Sequence, residues 1–428
     1  MSLSWGNADS PRRNAAFLMS ASVLGMVCSA INTILLTRFL GPDGYGALSF
    51  AVSIVGLFSP LTLLAFDAII ARYLLSKPET GTVIGTAVVV RSVLAVVVVA
   101  LLFLLTPAVV VDEQSLSLVY WLSLAVLLQP ASIVITFYLT HLRSRYTVAL
   151  QIIGLVVATS QRVALVWFEA DLIWFAIASL IDSALLASLL LALTLLHGRS
   201  KLVSLTFNAQ MARALIGDSL PLMLAQFAIA LNLRIDQVMI GRLMDAKAVG
   251  QYAAAARLSE LWLFVPAAVS SSFFPRIMAL ANRKLDQHAL TRSLVRYLVG
   301  VALVLAMATQ LVAEDVVRLI FGAEFAPSAQ VLCIHIWSAV FIFASYPINK
   351  VMTADNVLWG RTQARALAVL LNVVANLVLI PHFGIVGAAW ATLLSYACGW
   401  VLFYALIPST RPYFRTIVAS LMPWLKVS

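Results

Sequence analysis

Long apolar segments, separated by short polar turns, run through the whole chain. Twelve of them reach the roughly 20 residues that a helix needs to cross a hydrocarbon core about 30 Å thick. They lack the alternation of barrel strands, and an open sheet would leave backbone groups unpaired in lipid, so we predict helices. The predicted spans lie near 15–39, 47–71, 83–106, 116–140, 148–168, 172–196, 217–241, 250–275, 294–313, 329–350, 363–380 and 386–407. The predicted fold class is an all-α polytopic membrane protein.

Composition excludes the soluble classes of protein. Of the 428 residues, 62% are hydrophobic and 11% are charged, and the mean hydropathy is +0.99. Soluble domains are roughly 45–50% apolar and about 25% charged. The three cysteines lie inside apolar segments, the five histidines show no ligand spacing, and the sequence holds neither a phosphate-binding loop nor an acidic pair in a large loop. We therefore expect no enzymatic activity, no metal, no cofactor and no nucleic-acid partner.

The positive charges are distributed unevenly between the two sets of loops. Of 28 lysines and arginines, 20 fall in the termini and one set of alternate loops, four fall in the other set, and four lie inside spans. Because positive charge stays on the cytoplasmic side, both termini are predicted to be cytoplasmic. Arg199 and Lys284 belong to the cytoplasmic set, whereas Asp112 and Glu314 belong to the opposite set. The net charge of +10 is thus explained by topology.

A shift of 204 residues aligns the first predicted hairpin with the seventh and eighth spans. It places Arg38 on Arg242, Gly46 on Gly250 and Arg72 on Arg276. The longest inner connection, near 197–212, separates the two halves. We predict a parallel repeat of two six-helix lobes, 1–205 and 206–428, although arginine and glycine are common enough at helix ends for chance to remain the alternative.

Eight ionisable residues fall inside the predicted spans, where a charge costs at least about 2.5–3.5 kcal/mol at the centre of a lipid-exposed helix. They are Asp67, Arg91, Arg162, Asp182, Arg234, Asp236, Arg257 and Glu260. Such residues are expected to face a cavity or one another. The last four form the best candidate for a substrate or ion site, and the alternative for them is a purely structural network of salt bridges.

Spacing separates the roles of these four charges. Arg257 and Glu260 are three residues apart on one helix and could neutralise each other. Arg234 and Asp236 are two apart, so they point to different sides of their helix.

The other charges have structural alternatives. Asp67 could pair with Arg72 or with another neighbour. Arg91 and Arg162 lie close enough to helix ends for their long side chains to reach the headgroups instead of a cavity.

Two segments carry a family resemblance. Leu36–Gly46 (LTRFLGPDGYG) contains the pattern R-x-L-G-x-x-x-[YF]-G, and Ile380–Thr392 (IPHFGIVGAAWAT) contains P-x-x-G-I-x-G-A-A-x-A-T. These segments resemble the corresponding ones of bacterial polysaccharide exporters, the O-antigen and exopolysaccharide repeat-unit flippases of the MATE-like superfamily. Together with the predicted spans, the resemblance covers essentially the whole chain.

The resemblance implies two six-helix lobes in a V, with a cavity that faces alternately the cytoplasm and the periplasm of a bacterial inner membrane. It implies an oligosaccharide on undecaprenyl diphosphate as substrate, in contact with membrane lipids, and a polysaccharide polymerase and glycosyltransferases as further partners. Basic residues that would attract the diphosphate are Arg91, Arg162, Arg234 and Arg257. Acids that would bind a coupling ion or act as counter-charges are Asp67, Asp182, Asp236 and Glu260.

Two other functions stay open. One is cation-coupled export of small amphiphiles or drugs, although drug-exporting relatives usually carry an acid in the first helix, where this chain has only Ser, Asn and Thr as polar groups. The other is a membrane glycosyltransferase or ligase. The related flippases of peptidoglycan precursors have fourteen spans, whereas only twelve are predicted here, so the resemblance to that group is weaker.

Overall fold

A computed structural model describes residues 11–62, 64–76, 79–110, 112–197, 205–283, 287–355 and 357–421. Within these ranges the chain is helical almost throughout and contains no β-strand, as the apolar pattern predicts. Arg199 and Lys284, assigned above to the cytoplasmic side, lie outside the described residues.

The helices of the first part of the chain are α1 (Pro11–Phe58), α2 (Leu64–Ser76), α3 (Thr80–Val109), α4 (Glu113–Leu124), α5 (Ile133–Thr140), α6 (Ser144–Trp167) and α7 (Leu172–His197). A 3-10 segment, Ala125–Ser132, joins α4 to α5. The later helices are α8 (Ala209–Leu243), α9 (Ala246–Glu260), α10 (Phe264–Asn282), α11 (Gln287–Phe321), α12 (Pro327–His335), α13 (Ser338–Ala354), α14 (Leu358–Ala397), α15 (Phe403–Leu406) and α16 (Arg411–Leu421). Helices satisfy their own backbone groups, which is what apolar surroundings demand.

Two long helices bend at a glycine. Gly41 in α1 has φ 65°, and Gly384 in α14 has φ 58°. Both values fall in the left-handed region, which favours a residue without Cβ. Pro42 follows Gly41 directly, and Pro381 precedes Gly384 by three residues; each proline also interrupts the helical hydrogen bonds. The bends occur at two of the turns predicted from the sequence.

Among the described residues, ten helical stretches are long and apolar enough to cross a membrane. Two of them, Ser20–Leu61 and Trp359–Ala397, contain the glycine bends and each correspond to two predicted spans. The chain is therefore a multi-pass membrane protein, and twelve crossings stay a prediction.

The second predicted span, 47–71, is not one helix, and that detail of the prediction is wrong. α1 ends at Phe58, a 3-10 turn covers Ser59–Leu61, and α2 begins at Leu64. Pro60 in the turn has no N–H to donate, which explains the interruption.

The described chain divides into two compact units. Unit 1 runs up to Leu40 and from Phe50 to Ala230, and unit 2 comprises Gly41–Ser49 and the chain from Leu231 onward. The predicted boundary after residue 205 would place Gly41–Ser49 in the first lobe and residues 206–230 in the second. In the structure Gly41–Ser49 belongs to unit 2, and residues 206–230 belong to unit 1.

Packing explains the exchange of these segments. The first part of α8 joins unit 1 because Met211, Leu215 and Met223 belong to the same core as Ile70 and Phe137. The short segment Gly41–Ser49 joins unit 2 because it packs against the start of α9, a contact described in the Discussion.

Each unit has its own apolar core and an apolar exterior. Val295, Ile348 and Val351 belong to the main core of unit 2 and are fully buried. By contrast, Leu104 on α3 and Leu311 on α11 are 73% and 82% exposed. Large aliphatic side chains in such positions are typical of a surface that faces lipid.

Candidate functional site

One ion pair of unit 1 links α2 and α3. Arg91 Nη2 lies 2.6 Å from Asp67 Oδ1, and the arginine side chain has no exposed surface. Arg91 also donates to Ser132 Oγ at 3.1 Å, while Thr136 Oγ1 donates to Asp67 Oδ1 at 2.5 Å. The alternative in which Arg91 reaches the headgroups is therefore wrong, because the guanidinium is covered by protein.

Asp67 therefore pairs with Arg91 and not with Arg72. Arg72 instead forms an ion pair with Asp218, and both of these side chains are substantially exposed. Of the two partners considered for Asp67, the neighbouring-helix alternative is the one that the structure shows.

A second pair in unit 1 joins α6 and α7. Arg162 Nη1 lies 2.7 Å from Asp182 Oδ2, and their side chains are only 15% and 19% exposed. Arg162 further donates to the carbonyl of Ala158 and to Ser179 Oγ. Asp182 Oδ1, the other carboxylate oxygen, is buried without a hydrogen-bond partner. Arg162 is thus held against a neighbouring helix by an acid that was also predicted to be functional.

In unit 2, Asp236 on α8 is enclosed by neutral donors. Its Oδ2 accepts from Tyr252 Oη at 2.7 Å and from Thr392 Oγ1 at 2.5 Å, and its Oδ1 accepts from Asn376 Nδ2 at 2.6 Å. Asp236 is 3% exposed, and no described lysine or arginine forms an ion pair with it. A buried carboxylate in a dry environment is costly unless hydrogen bonds or a cation compensate its charge.

Asp236 is one of the residues that line a small cavity in unit 2. Tyr252, Glu260, His335 and Thr392 line it as well. His335 is buried and its Nδ1 lies 2.7 Å from Ser259 Oγ. The cavity therefore brings two acids and an imidazole together inside the membrane-spanning part of the unit.

Arg234, Arg257 and Glu260 form a charged group beside this cavity. Arg257 Nη1 lies 4.0 Å from Glu260 Oε2, at the i,i+3 spacing, as the sequence predicts. Arg234 lies within electrostatic range of both, and Arg257 also interacts with the hydroxyl of Tyr45. Arg257 remains 39% exposed. Two arginines thus share one acid, so this group has excess positive charge.

The structure sorts the eight predicted charges into four groups. Asp67–Arg91 and Arg162–Asp182 are separate pairs of unit 1, Arg234–Arg257–Glu260 is a cationic group of unit 2, and Asp236 has its own neutral enclosure. Arg234 and Asp236 have different partners, in agreement with their two-residue spacing.

Sequence reasoning missed the neutral residues around Asp236. Tyr252, Asn376 and Thr392 lie 16, 140 and 156 residues from it along the chain. The available signal was Asn372 and Asn376, two amides at i,i+4 spacing in an apolar span, of which Asn376 donates to Asn372 Oδ1 at 3.1 Å.

Comparison with known families identifies the class of protein. Residues 12–281 match the model of a family described as polysaccharide biosynthesis protein. The match covers more than half of the chain, and the chain belongs to this family.

Two relatives from Haloferax volcanii match over shorter stretches. A "probable low-salt glycan biosynthesis flippase Agl15" is 27% identical over 175 residues, which cover 39% of this chain and 36% of the relative. A "probable flippase AglR" is 32% identical over 181 residues, which cover 41% of this chain and 37% of the relative. Each match thus spans little more than a third of the relative's length.

Solved structures with the same fold cover nearly the whole chain. The lipid II flippase MurJ in an inward closed conformation gives a TM-score of 0.78 at 13% identity, over 95% of this chain and 91% of that one. An inward-facing multidrug resistance transporter of the MATE family gives 0.69 at 13% identity, over 91% and 96%. These similarities show that the chain has the fold shared by both proteins.

Proposed function

We propose that the chain is a flippase that moves an oligosaccharide linked to undecaprenyl diphosphate across the bacterial inner membrane. Both termini lie in the cytoplasm in this proposal, and transport proceeds by alternating access, for polysaccharide biosynthesis. Membership of the polysaccharide biosynthesis family and the flippase names of both relatives support it.

The cationic group of α8 and α9 carries the proposal most directly. A diphosphate brings about two negative charges into a site of low dielectric, where a cation 4 Å away is worth about 4 kcal/mol at an effective dielectric near 20. Arg234 and Arg257 supply two guanidinium groups against one carboxylate, Glu260. Guanidinium stays charged and binds phosphate oxygens in pairs, so these arginines suit a diphosphate.

Asp236 is the candidate for coupling transport to an ion gradient. Its three donors are neutral, so its charge is not cancelled by a fixed cation. Asn376 Oδ1, beside it, is buried without a hydrogen-bond partner. A proton on Asp236, or a small cation between these oxygens, would compensate the buried charge. Glu260 lines the same cavity as Asp236 and pairs with Arg257, so it would interact with an ion at Asp236 and with a diphosphate at the arginines.

The two pairs of unit 1 have a supporting role in this proposal. Asp67 and Asp182 are the counter-charges of Arg91 and Arg162, and each holds its arginine on a neighbouring helix. An arginine held in this way can bind a phosphate only after its ion pair with the acid is broken. We therefore propose that Arg91 and Arg162 contact the substrate later than Arg234 and Arg257 do.

The alternative is a cation-coupled exporter of small amphiphiles, since a multidrug MATE transporter has the same fold. It does not account for two arginines that share a single acid, because amphiphilic drugs are mostly cationic or neutral. A glycosyltransferase or ligase does not account for the fold, which is shared with a flippase and a multidrug transporter.

A deletion strain of the source cell tests the proposal. Wild-type protein and the variant Arg318→Ala, an exposed arginine at the far end of α11, should restore surface polysaccharide, whereas Arg234→Ala should not at equal protein level. If Arg234→Ala restores polysaccharide fully, or if the deletion changes only drug susceptibility, the proposed function is wrong.

A further inference from the structure

Three positive side chains lie close together in unit 2, and none of them belongs to the cationic group described above. Lys350 lies near the end of α13, and Arg361 and Arg365 lie in the first turns of α14. The two arginines are four residues apart and so share a face of their helix. Arg361 is within electrostatic range of both Lys350 and Arg365, and all three side chains are half-buried.

Neutral groups contact two of these cations. Lys350 Nζ lies 5.0 Å from the centre of the Phe274 ring, and Arg361 Nη1 donates to Thr353 Oγ1 at 3.1 Å. In the part of the chain that the structure describes, neither Lys350 nor Arg361 forms an ion pair.

The described acid nearest in sequence is already engaged. Asp355, which follows α13, accepts from Gln287 Nε2 at 2.5 Å and from Tyr413 Oη at 2.7 Å. It therefore ties the start of α11 and α16 to the end of α13, with both of its oxygens occupied.

Two buried hydrogen-bond donors near these cations have no acceptor among the described residues. Arg361 Nε is buried without a hydrogen-bond partner. The hydroxyl of Tyr404 on α15 is likewise buried without a partner, and its side chain is fully covered. Tyr404 lies within electrostatic range of both Arg361 and Arg365. Buried donors without acceptors are rare in proteins, and they suggest an acceptor that arrives from elsewhere.

We propose that Lys350, Arg361, Arg365 and Tyr404 form a binding site for a phosphate or diphosphate group. Three like charges in a half-buried setting repel one another and lose hydration, and an anion relieves both costs. The guanidinium fork and the free hydroxyl supply the donors that phosphate oxygens accept. Neither the family match nor the structural similarity assigns these residues a role.

This inference deepens the proposed function and rests on it for the source of the phosphate. The three cations belong to the loops predicted to be cytoplasmic, where a lipid diphosphate made in the cytoplasm would be captured. The site would thus hold the substrate before Arg234 and Arg257 do. An anionic phospholipid headgroup offers the same chemistry and is the other source.

Binding measurements on the full chain in phosphatidylcholine nanodiscs test the site, with farnesyl diphosphate and pyrophosphate as probes and farnesol as the uncharged control. Arg361→Gln and Lys350→Gln should each raise the dissociation constant for both phosphates about tenfold, the effect of one lost charge-assisted hydrogen bond. Arg361→Lys should recover part of the loss. Arg318→Gln, with the same charge change at the far end of α11, should bind as the wild type does.

Tyr404→Phe is the variant least expected to disturb folding, because it removes only the unpartnered hydroxyl. It should weaken binding of farnesyl diphosphate with no change in the thermal unfolding midpoint. Unchanged affinity for both phosphates in Arg361→Gln, Lys350→Gln and Tyr404→Phe would overturn the site.

Two further arms separate the phosphate sources and the two proposals. Competition by phosphatidylglycerol in the nanodisc would assign the site to bulk lipid, and its absence would assign the site to the diphosphate substrate. Phosphate binding through Arg361 in a chain that does not move lipid-linked oligosaccharide would overturn the proposed function alone. Normal translocation by the wild type, together with unchanged phosphate affinity in all three variants, would overturn this inference alone.

Discussion

Gly46 and Gly250 pack against each other through reciprocal backbone contacts. A Cβ added to Gly46 would lie 2.8 Å from the amide nitrogen of Gly250, and one added to Gly250 would lie 3.0 Å from that of Gly46. Each would also overlap a carbonyl oxygen, that of Ala246 in the first case and that of Pro42 in the second. The shift of 204 residues that places Gly46 on Gly250 also places Pro42 on Ala246.

Reciprocal contact of this kind is what a local two-fold axis produces, since residue i meets j and the equivalent of j meets the equivalent of i. The contact therefore supports the internal repeat, whose two lobes stay a prediction until the halves 1–205 and 206–428 are superposed. It also gives a physical reason for the glycine that ends the first motif, because only a residue without Cβ permits this approach.

Gly46→Ala and Gly250→Ala should each destabilise the protein by about 1–3 kcal/mol, because the added methyl overlaps backbone that cannot move aside cheaply. The matched control is Gly300→Ala in α11, where nothing lies within 4 Å of the added Cβ. Thermal unfolding in detergent measures the difference. Equal midpoints for all three variants would contradict the close approach of the two glycines.

The pair on α6 and α7 should depend on both partners. Asp182→Ala leaves the guanidinium of Arg162 without its acid, and we expect a loss below the roughly 3–5 kcal/mol found for fully buried pairs, since these side chains are 15–19% exposed. Arg162→Leu/Asp182→Leu should recover stability, because no buried charge is left unpaired. If the double variant is less stable than Asp182→Ala, the pair stabilises the protein in its own right.

Asp236→Asn keeps the size of the side chain and removes its charge. Transport should fall at least tenfold and lose its dependence on an ion or pH gradient, because the side chain no longer carries a charge for an ion or proton to compensate. The protein should stay folded, because the three neutral donors no longer enclose a carboxylate that is costly to bury. Uptake into reconstituted vesicles with imposed sodium or proton gradients measures the coupling. Gradient-dependent transport by Asp236→Asn would place the coupling site elsewhere.

Topology is testable in a background in which Cys28, Cys333 and Cys398 are replaced by serine. A cysteine in place of Glu314 should react with an impermeant maleimide in intact cells, because it belongs to the set of loops with few positive charges. A cysteine in place of Lys284 should react only after permeabilisation. The opposite pattern would invert the predicted orientation.

Local rules accounted for much of the fold. Hydrophobic length predicted the helices, and the gaps between predicted spans fall at Gly41 and Gly384, where the structure has bends. The i,i+3 spacing predicted the contact of Arg257 with Glu260, because both residues lie on one helix. Local spacing did not predict the break between α1 and α2, which occurs at the turn that contains Pro60.

Partners on different helices could not be read from the sequence. Asp67 and Arg91 are 24 residues apart, and only packing of α2 on α3 brings them to 2.6 Å. The enclosure of Asp236 depends on three helices, α8, α9 and α14, and its members are neutral residues that charge counting overlooks. Lys350 and Arg361 were used only to predict which loops are cytoplasmic. Their assignment to loops does not reveal that the two side chains are half-buried and close to each other.

The most direct test of the central claim is translocation in vesicles that hold the purified protein and a fluorescent, undecaprenyl diphosphate-linked oligosaccharide. Accessibility of the sugar to an impermeant enzyme measures how fast it crosses. The account predicts rapid crossing for the wild type, a loss of at least tenfold for Arg234→Ala and Arg257→Ala, and partial rescue in Arg257→Lys. Arg257→Ala/Glu260→Ala should stay inactive, because the arginine is needed for the diphosphate and not only for the acid. Full crossing by that double variant, or by both single arginine variants, would contradict the account.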